Sequence, residues 1–94
     1  MKIPKPEEIK KVIVKYKDLF EYDGSKPVKF PTDQRTIVRH EQFDHCYWML
    51  TEMEKFVDED PIKAYGWLCN IQGFLWGRGI GVVDDYREDN RSIR

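Results

Sequence analysis

Asp60-Pro61-Ile62-Lys63-Ala64-Tyr65-Gly66-Trp67-Leu68-Cys69-Asn70-Ile71-Gln72-Gly73-Phe74-Leu75-Trp76-Gly77-Arg78 is the stretch that decides the fold. Asp60 is a good N-cap, because its carboxylate accepts orphan backbone N–H groups, and Pro61 suits the first helical position, where its missing N–H is not needed. Ala64, Leu68, Ile71 and Leu75 recur at helical spacing, so a helix over about 61–78 is expected, with Gly77, Gly79 and Gly81 breaking it. Trp67 lies on the same stripe and is expected to pack in the core. Trp76 is nine residues further on, about 900° at roughly 100° per residue, so it points to the opposite side and needs a partner. That partner is a protein chain, another copy of this one or a flat ligand, since a large exposed aromatic marks a contact surface.

Upstream, Phe43, Tyr47, Leu50, Met53 and Phe56 predict a helix ending near Val57, with a diffuse start between Asp33 and His40. About three residues separate it from the next helix, which predicts an antiparallel helical hairpin, 40–57 and 61–78, with Gly73 allowing close backbone approach. Further upstream, Pro6, then Glu7 and Glu8, then Ile9, Val12, Ile13, Tyr16, Leu19 and Phe20 predict an amphipathic helix over 6–21. The turn-rich Tyr22–Pro27 and the short extended Val28–Pro31 read as a crossing loop rather than a domain boundary. Downstream, Asp84 or Asp85 is expected to cap a short helix over 86–90, followed by a polar tail, Arg91–Arg94. The fold class is all-α, in one domain: a basic N-terminal helix and loop over 1–39, and a hairpin core with a C-terminal helix over 40–94.

A chain of 94 residues buries only roughly 60–65% of its unfolded surface, so a homo-oligomer is the expected supplement to stability. Cys46 and Cys69 form no CxxC pair and read as reduced, buried thiols. With no signal-like or membrane-spanning stretch in view, the expected compartment is the cytoplasm, without membrane contact. The net charge of −1 hides an asymmetry: residues 1–39 hold ten Lys/Arg and six Asp/Glu, whereas residues 40–94 hold six and eleven. Duplex DNA is not an expected partner, because binding by counterion release needs a concentrated basic face.

Catalytic patterns fail on spacing. His40 and His45 are five apart, where helical metal pairs stand three or four apart, and His45 with Glu41 makes only two ligands, so no metal is expected and His45 reads as a hydrogen-bonded structural histidine. His45 and Cys46 are adjacent and project differently from a helix, with no oriented third group, so no catalytic residue, no cofactor and no enzyme is expected. The candidate binding residues are Trp48, Gln72, Trp76, Arg78, Arg87, Asn90 and Arg91. Trp48 and Trp76 offer flat faces to a subunit or a ligand. Gln72 is either a bridge between helices or a reader of a planar polar group. Arg78, Arg87 and Arg91 carry the planar fork that suits phosphate, and with Asn90 they suit a phosphate-and-base pocket. The alternative for Arg87 and Arg91 is local pairing with Asp84, Asp85 or Glu88 along one short helix.

His45-Cys46-Tyr47-Trp48-Met49, Lys63-Ala64 before Trp67-Leu68, Ile71-Gln72-Gly73, Leu75-Trp76, Asp84-Asp85 and Asp89-Asn90-Arg91 together resemble a group of small tailed-phage proteins, over roughly residues 40–91. Gly66 departs from that pattern where a basic residue is expected, as does Cys69-Asn70, where a small-then-aromatic pair is expected. The chain is similar to the fourth family of anti-CBASS sponges, which implies an oligomer in the host cytoplasm that binds cyclic dinucleotides or trinucleotides without cleaving them. The competing reading is a helical inhibitor or adaptor that presents its aromatics to a host protein.

Overall fold

A computed structural model of the chain describes residues 2–31, 33–35 and 38–94, and builds four helices: α1 (Pro6–Tyr22), α2 (Arg39–Phe56), α3 (Pro61–Gly77) and α4 (Val83–Arg91). No strand occurs among the described residues, and no helix there is long and apolar enough to cross a membrane. The fold is all-α.

In α1, Pro6 occupies the first turn with Glu7 and Glu8, and Ile9, Val12, Ile13, Tyr16 and Phe20 are buried. Leu19 drops off the expected stripe to its edge, 36% exposed. Gly24, at φ +85°, turns the chain out of α1, and the Ser25 N–H donates to the Phe20 carbonyl at 2.9 Å. That left-handed backbone favours glycine.

The crossing segment is pinned to α2. The Lys26 N–H donates to Asp44 Oδ1 at 3.0 Å, the Val28 N–H to the Asp44 carbonyl at 3.4 Å, and the Phe30 N–H to His45 Nδ1 at 3.1 Å. Thr36 and Ile37, inside the expected diffuse start of α2, lie outside the described residues; the helix begins at Arg39. Its buried face, Phe43, Cys46, Tyr47, Met49, Leu50 and Met53, meets both α1 and α3.

The Asp60 carboxylate accepts from the Lys63 N–H at 3.1 Å, which caps α3 as its sequence predicts. Ala64, Leu68, Ile71 and Leu75 are all 1% exposed or less. The core is nonetheless not the hairpin alone, because α1 lays Ile9, Val12, Ile13, Tyr16 and Phe20 across α2 and α3. Gly73 plays no part in that packing. It is exposed, and beyond the adjoining residues and the local helix backbone no described atom would lie within 4 Å of a Cβ placed there, so the expected close approach of α2 at Gly73 is absent. Cys69 corrects a second expectation: Cys46 is buried, but Cys69 is exposed, one step around the helix from buried Leu68.

Two corrections concern the carboxyl end. The last helix starts at Val83 rather than Tyr86, because Asp85 caps from inside the first turn, its Oδ2 accepting the Val82 N–H at 2.8 Å. Gly81, at φ +75°, precedes it, and a Cβ there would come within 3.0 Å of Tyr86 Oη. The tail is not simply polar. Ile93 is fully buried, and its carbonyl accepts the Lys5 N–H at 2.9 Å, closing the end of the chain onto the start of α1.

Candidate ligand-binding site

Gln72 and Asn90, two of the seven residues expected in a site, turn inward and meet each other. Gln72 is 5% and Asn90 8% exposed. Gln72 Nε2 donates to Asn90 Oδ1 at 2.7 Å, and Asn90 Nδ2 returns the bond to Gln72 Oε1 at 2.8 Å. Gln72 Nε2 also donates to Tyr16 Oη at 2.9 Å, and the Tyr16 hydroxyl donates to Asp89 Oδ2 at 2.8 Å. Asp89 is held in turn by Lys15 at 2.6 Å. Burial pushes the Tyr16 phenol far above its ordinary value, the neighbouring Asp89 charge pushes the same way, and the hydroxyl stays protonated. This relay ties α1, α3 and α4 together through fully partnered polar groups, which is what buried amides require.

Trp48 is half-buried beside α3. It stacks on His45 at 5.5 Å and 29°, lies 6.3 Å from Trp67, and carries the Lys29 ammonium 5.3 Å from its ring centroid. Trp67 is likewise half-buried and sits on the flank of the core stripe, its ring edge-on to Phe56 at 5.1 Å. Trp76 is 58% exposed, as its phase predicts. The arginines disperse. Arg87 pairs with Asp84 at 3.7 Å and Arg91 with Glu88 at 3.0 Å, both along α4 and well exposed, where such pairs contribute little. Arg78 lies over the Phe74 ring, 5.6 Å from its centroid.

The seven expected residues therefore form no single pocket, and none of them is among the described residues lining one sizeable groove. That groove, about 450 Å³, runs between the crossing segment, α2 and α3, with Phe30, Gln34, His45, Cys46, Asn70 and Phe74 among its walls. Its volume falls in the ordinary range for small-molecule sites, roughly 300–1,000 Å³. Asn70 and Phe74 stand i, i+4 on α3, so one amide and one ring face the groove together. The sequence gives no sign that Phe30, Pro31 and Gln34 line the same groove.

His45 joins the structural and the chemical roles of this groove. Accepting from the Phe30 N–H through Nδ1 leaves the proton of the neutral ring on Nε2. Burial first, and the Lys29 charge second, hold its pKa below the ordinary 6.5. The folded state thus binds the proton more weakly than the unfolded state. Its contribution to stability is complete above about pH 6.5 and is lost as pH falls through the lower folded-state value. His45→Gln is expected to flatten the decline in urea midpoint below that pH relative to the unmodified chain; equal slopes in the two proteins would remove His45 as the cause. Burial pushes the neighbouring Cys46 up to about 12, so it remains a thiol at neutral pH.

Comparison with known proteins found no matching family model, no matching curated protein and no matching solved structure.

Proposed function

We propose that the chain captures a cyclic oligonucleotide second messenger and holds it without cleaving it, as an anti-defence sponge of a tailed phage in the host cytoplasm. The observation that carries this reading is the groove: two aromatic rings, Phe30 and Phe74, the amides of Gln34 and Asn70, and the His45 imidazole line one cleft, and the Arg78 guanidinium lies over the Phe74 ring. Rings of this kind stack on bases, amides pair with base edges, and a guanidinium fork suits a phosphate. Residues 40–91, which resemble small tailed-phage proteins, supply both α3 residues of the groove together with Arg78, although Asn70 is itself a departure from that pattern. Cys46, the nucleophile-type side chain in the cleft, is held as a thiol by burial, and that favours sequestration over hydrolysis.

Titration calorimetry and native mass spectrometry with a panel of cyclic dinucleotides and trinucleotides test the reading. Binding of at least one member is expected, with intact nucleotide recovered after heat denaturation. Asn70→Ala and Arg78→Ala, both at exposed positions, should weaken that binding about tenfold or more, the scale of one charge-assisted or well-placed polar contact. Silence across the whole panel would sink the proposal, and recovery of linear products would replace sequestration with catalysis. One dominant host protein retained by the chain, alongside nucleotide silence, would favour the adaptor reading.

A further inference from the structure

α3 carries little charge on its outward side. Taking roughly 100° per residue, buried Ala64, Leu68, Ile71 and Leu75 mark the inward line, and Ile62, Lys63, Gly66, Cys69, Asn70, Gly73, Trp76 and Gly77 fall on the opposite half of the helix. All eight are exposed, Ile62 by 52% and Trp76 by 58%. Lys63 is the one charged side chain among them, and its ammonium lies over the Phe56 and Trp67 rings. A helix with so little charge on either side favours cover on both. Beyond the adjoining residues and the local helix backbone, no described atom would lie within 4 Å of a Cβ placed at Gly66 or Gly73, so packing against the rest of the chain accounts for neither glycine. In a helix interior each glycine costs about 1 kcal/mol relative to alanine, and what a glycine offers in return is close approach of a second backbone.

The order of residues on this face specifies the kind of neighbour. Gly66 and Gly73 stand equally far from the point between Cys69 and Asn70, and Ile62 and Gly77 stand equally far from it too. A face with that arrangement is self-complementary about a two-fold axis, as an isologous contact requires. Charge selects the direction. In an antiparallel pair, Arg78 of one copy comes within a turn of Glu59 and Asp60 of the other, all three exposed in the single chain. In a parallel pair, arginine would meet arginine and the acidic turn would meet its own kind. Antiparallel helices also oppose their dipoles favourably. We infer that a second copy of this chain covers the outward face of α3, helix against antiparallel helix, with the two-fold axis passing beside Cys69. Gly73 meets Gly66 of the second copy, and Trp76 packs over the first turn that carries Ile62.

Asn70, which lines the groove, lies beside the same axis, but the test of this contact uses no nucleotide, so the two readings fail separately. Sedimentation velocity of the full chain is expected to show a dimer, and Gly73→Leu to weaken self-association about tenfold or more. Because nothing in the single chain crowds that position and leucine is the better helix former, the variant should fold at least as stably by circular dichroism, which separates loss of the interface from loss of the fold. Mild oxidation by diamide, which takes up the two electrons and two protons of a thiol pair, should join two copies through Cys69, and Cys69→Ser should abolish the product. A wild-type chain that stays monomeric, or a dimer indifferent to Gly73→Leu, would overturn the proposal. So would a tighter complex of this face with a different protein.

Discussion

Phe43→Ala is expected to lower the free energy of unfolding by about 3–5 kcal/mol, the usual range for truncating a fully buried ring. Phe43 is 1% exposed and stands where three helices meet. Its ring is edge-on to Phe20 of α1 at 5.4 Å and to Phe74 of α3 at 5.2 Å. The Arg39 guanidinium covers it from outside, 4.1 Å from the ring centroid. Removing the ring loses its burial and also two edge-to-face contacts, each worth roughly 0.5–1.5 kcal/mol beyond area. Small domains hold about 5–15 kcal/mol in total, so the variant should unfold at a far lower urea concentration. Coincident transitions by tryptophan fluorescence and circular dichroism would give the difference directly. A loss under about 1 kcal/mol would mean that the three helices do not converge on this ring.

Gln72→Leu is the second large effect, about 2–4 kcal/mol, and it arises from what the substitution leaves behind. The leucine fills much the same volume, but Asn90 loses both partners of its reciprocal pair and Tyr16 Oη loses a donor. Buried polar groups without partners each cost about 1–3 kcal/mol. Pairing Gln72→Leu with Asn90→Leu should recover part of that loss, because both halves of the amide pair are then apolar. A double-mutant cycle by urea denaturation measures the coupling. Simple additivity would contradict the direct bond. Hydrogen exchange should show α4 opening first in the single variant, since Asn90 and Ile93 are the buried residues of that end.

Gln72 also shows where the reach of sequence ends. Its helical phase allowed an inward bridge or an outward reader, and the choice rested on Tyr16 and Asn90, 56 and 18 residues away. Periodicity says which side of a helix turns inward; it does not say what waits there. For the same reason α1 and α3 were legible nearly to the residue, through Pro6, Asp60 and the apolar spacing, whereas the tail was not. Ile93 is one apolar residue among polar ones, with no period to betray it. Cys69 failed as a buried thiol because apolar neighbours in sequence are not neighbours in space on a helix. Gly73 failed as a packing site because a glycine marks room without saying on which side the room is used. The groove escaped altogether: Asn70 and Phe74 form one wall, but the other includes Phe30, Pro31 and Gln34, which carry no regular pattern, with Phe30 placed by its N–H bond to His45.

The bond from the Lys5 N–H to the Ile93 carbonyl, 2.9 Å long, makes the folded chain almost a ring. A short linker from Arg94 back to Lys2 would close it without moving a helix, and new ends are best opened at exposed residues 33–35, between α1 and α2. Topologically, then, the order α1 to α4 is one of several in which the same four helices can be strung.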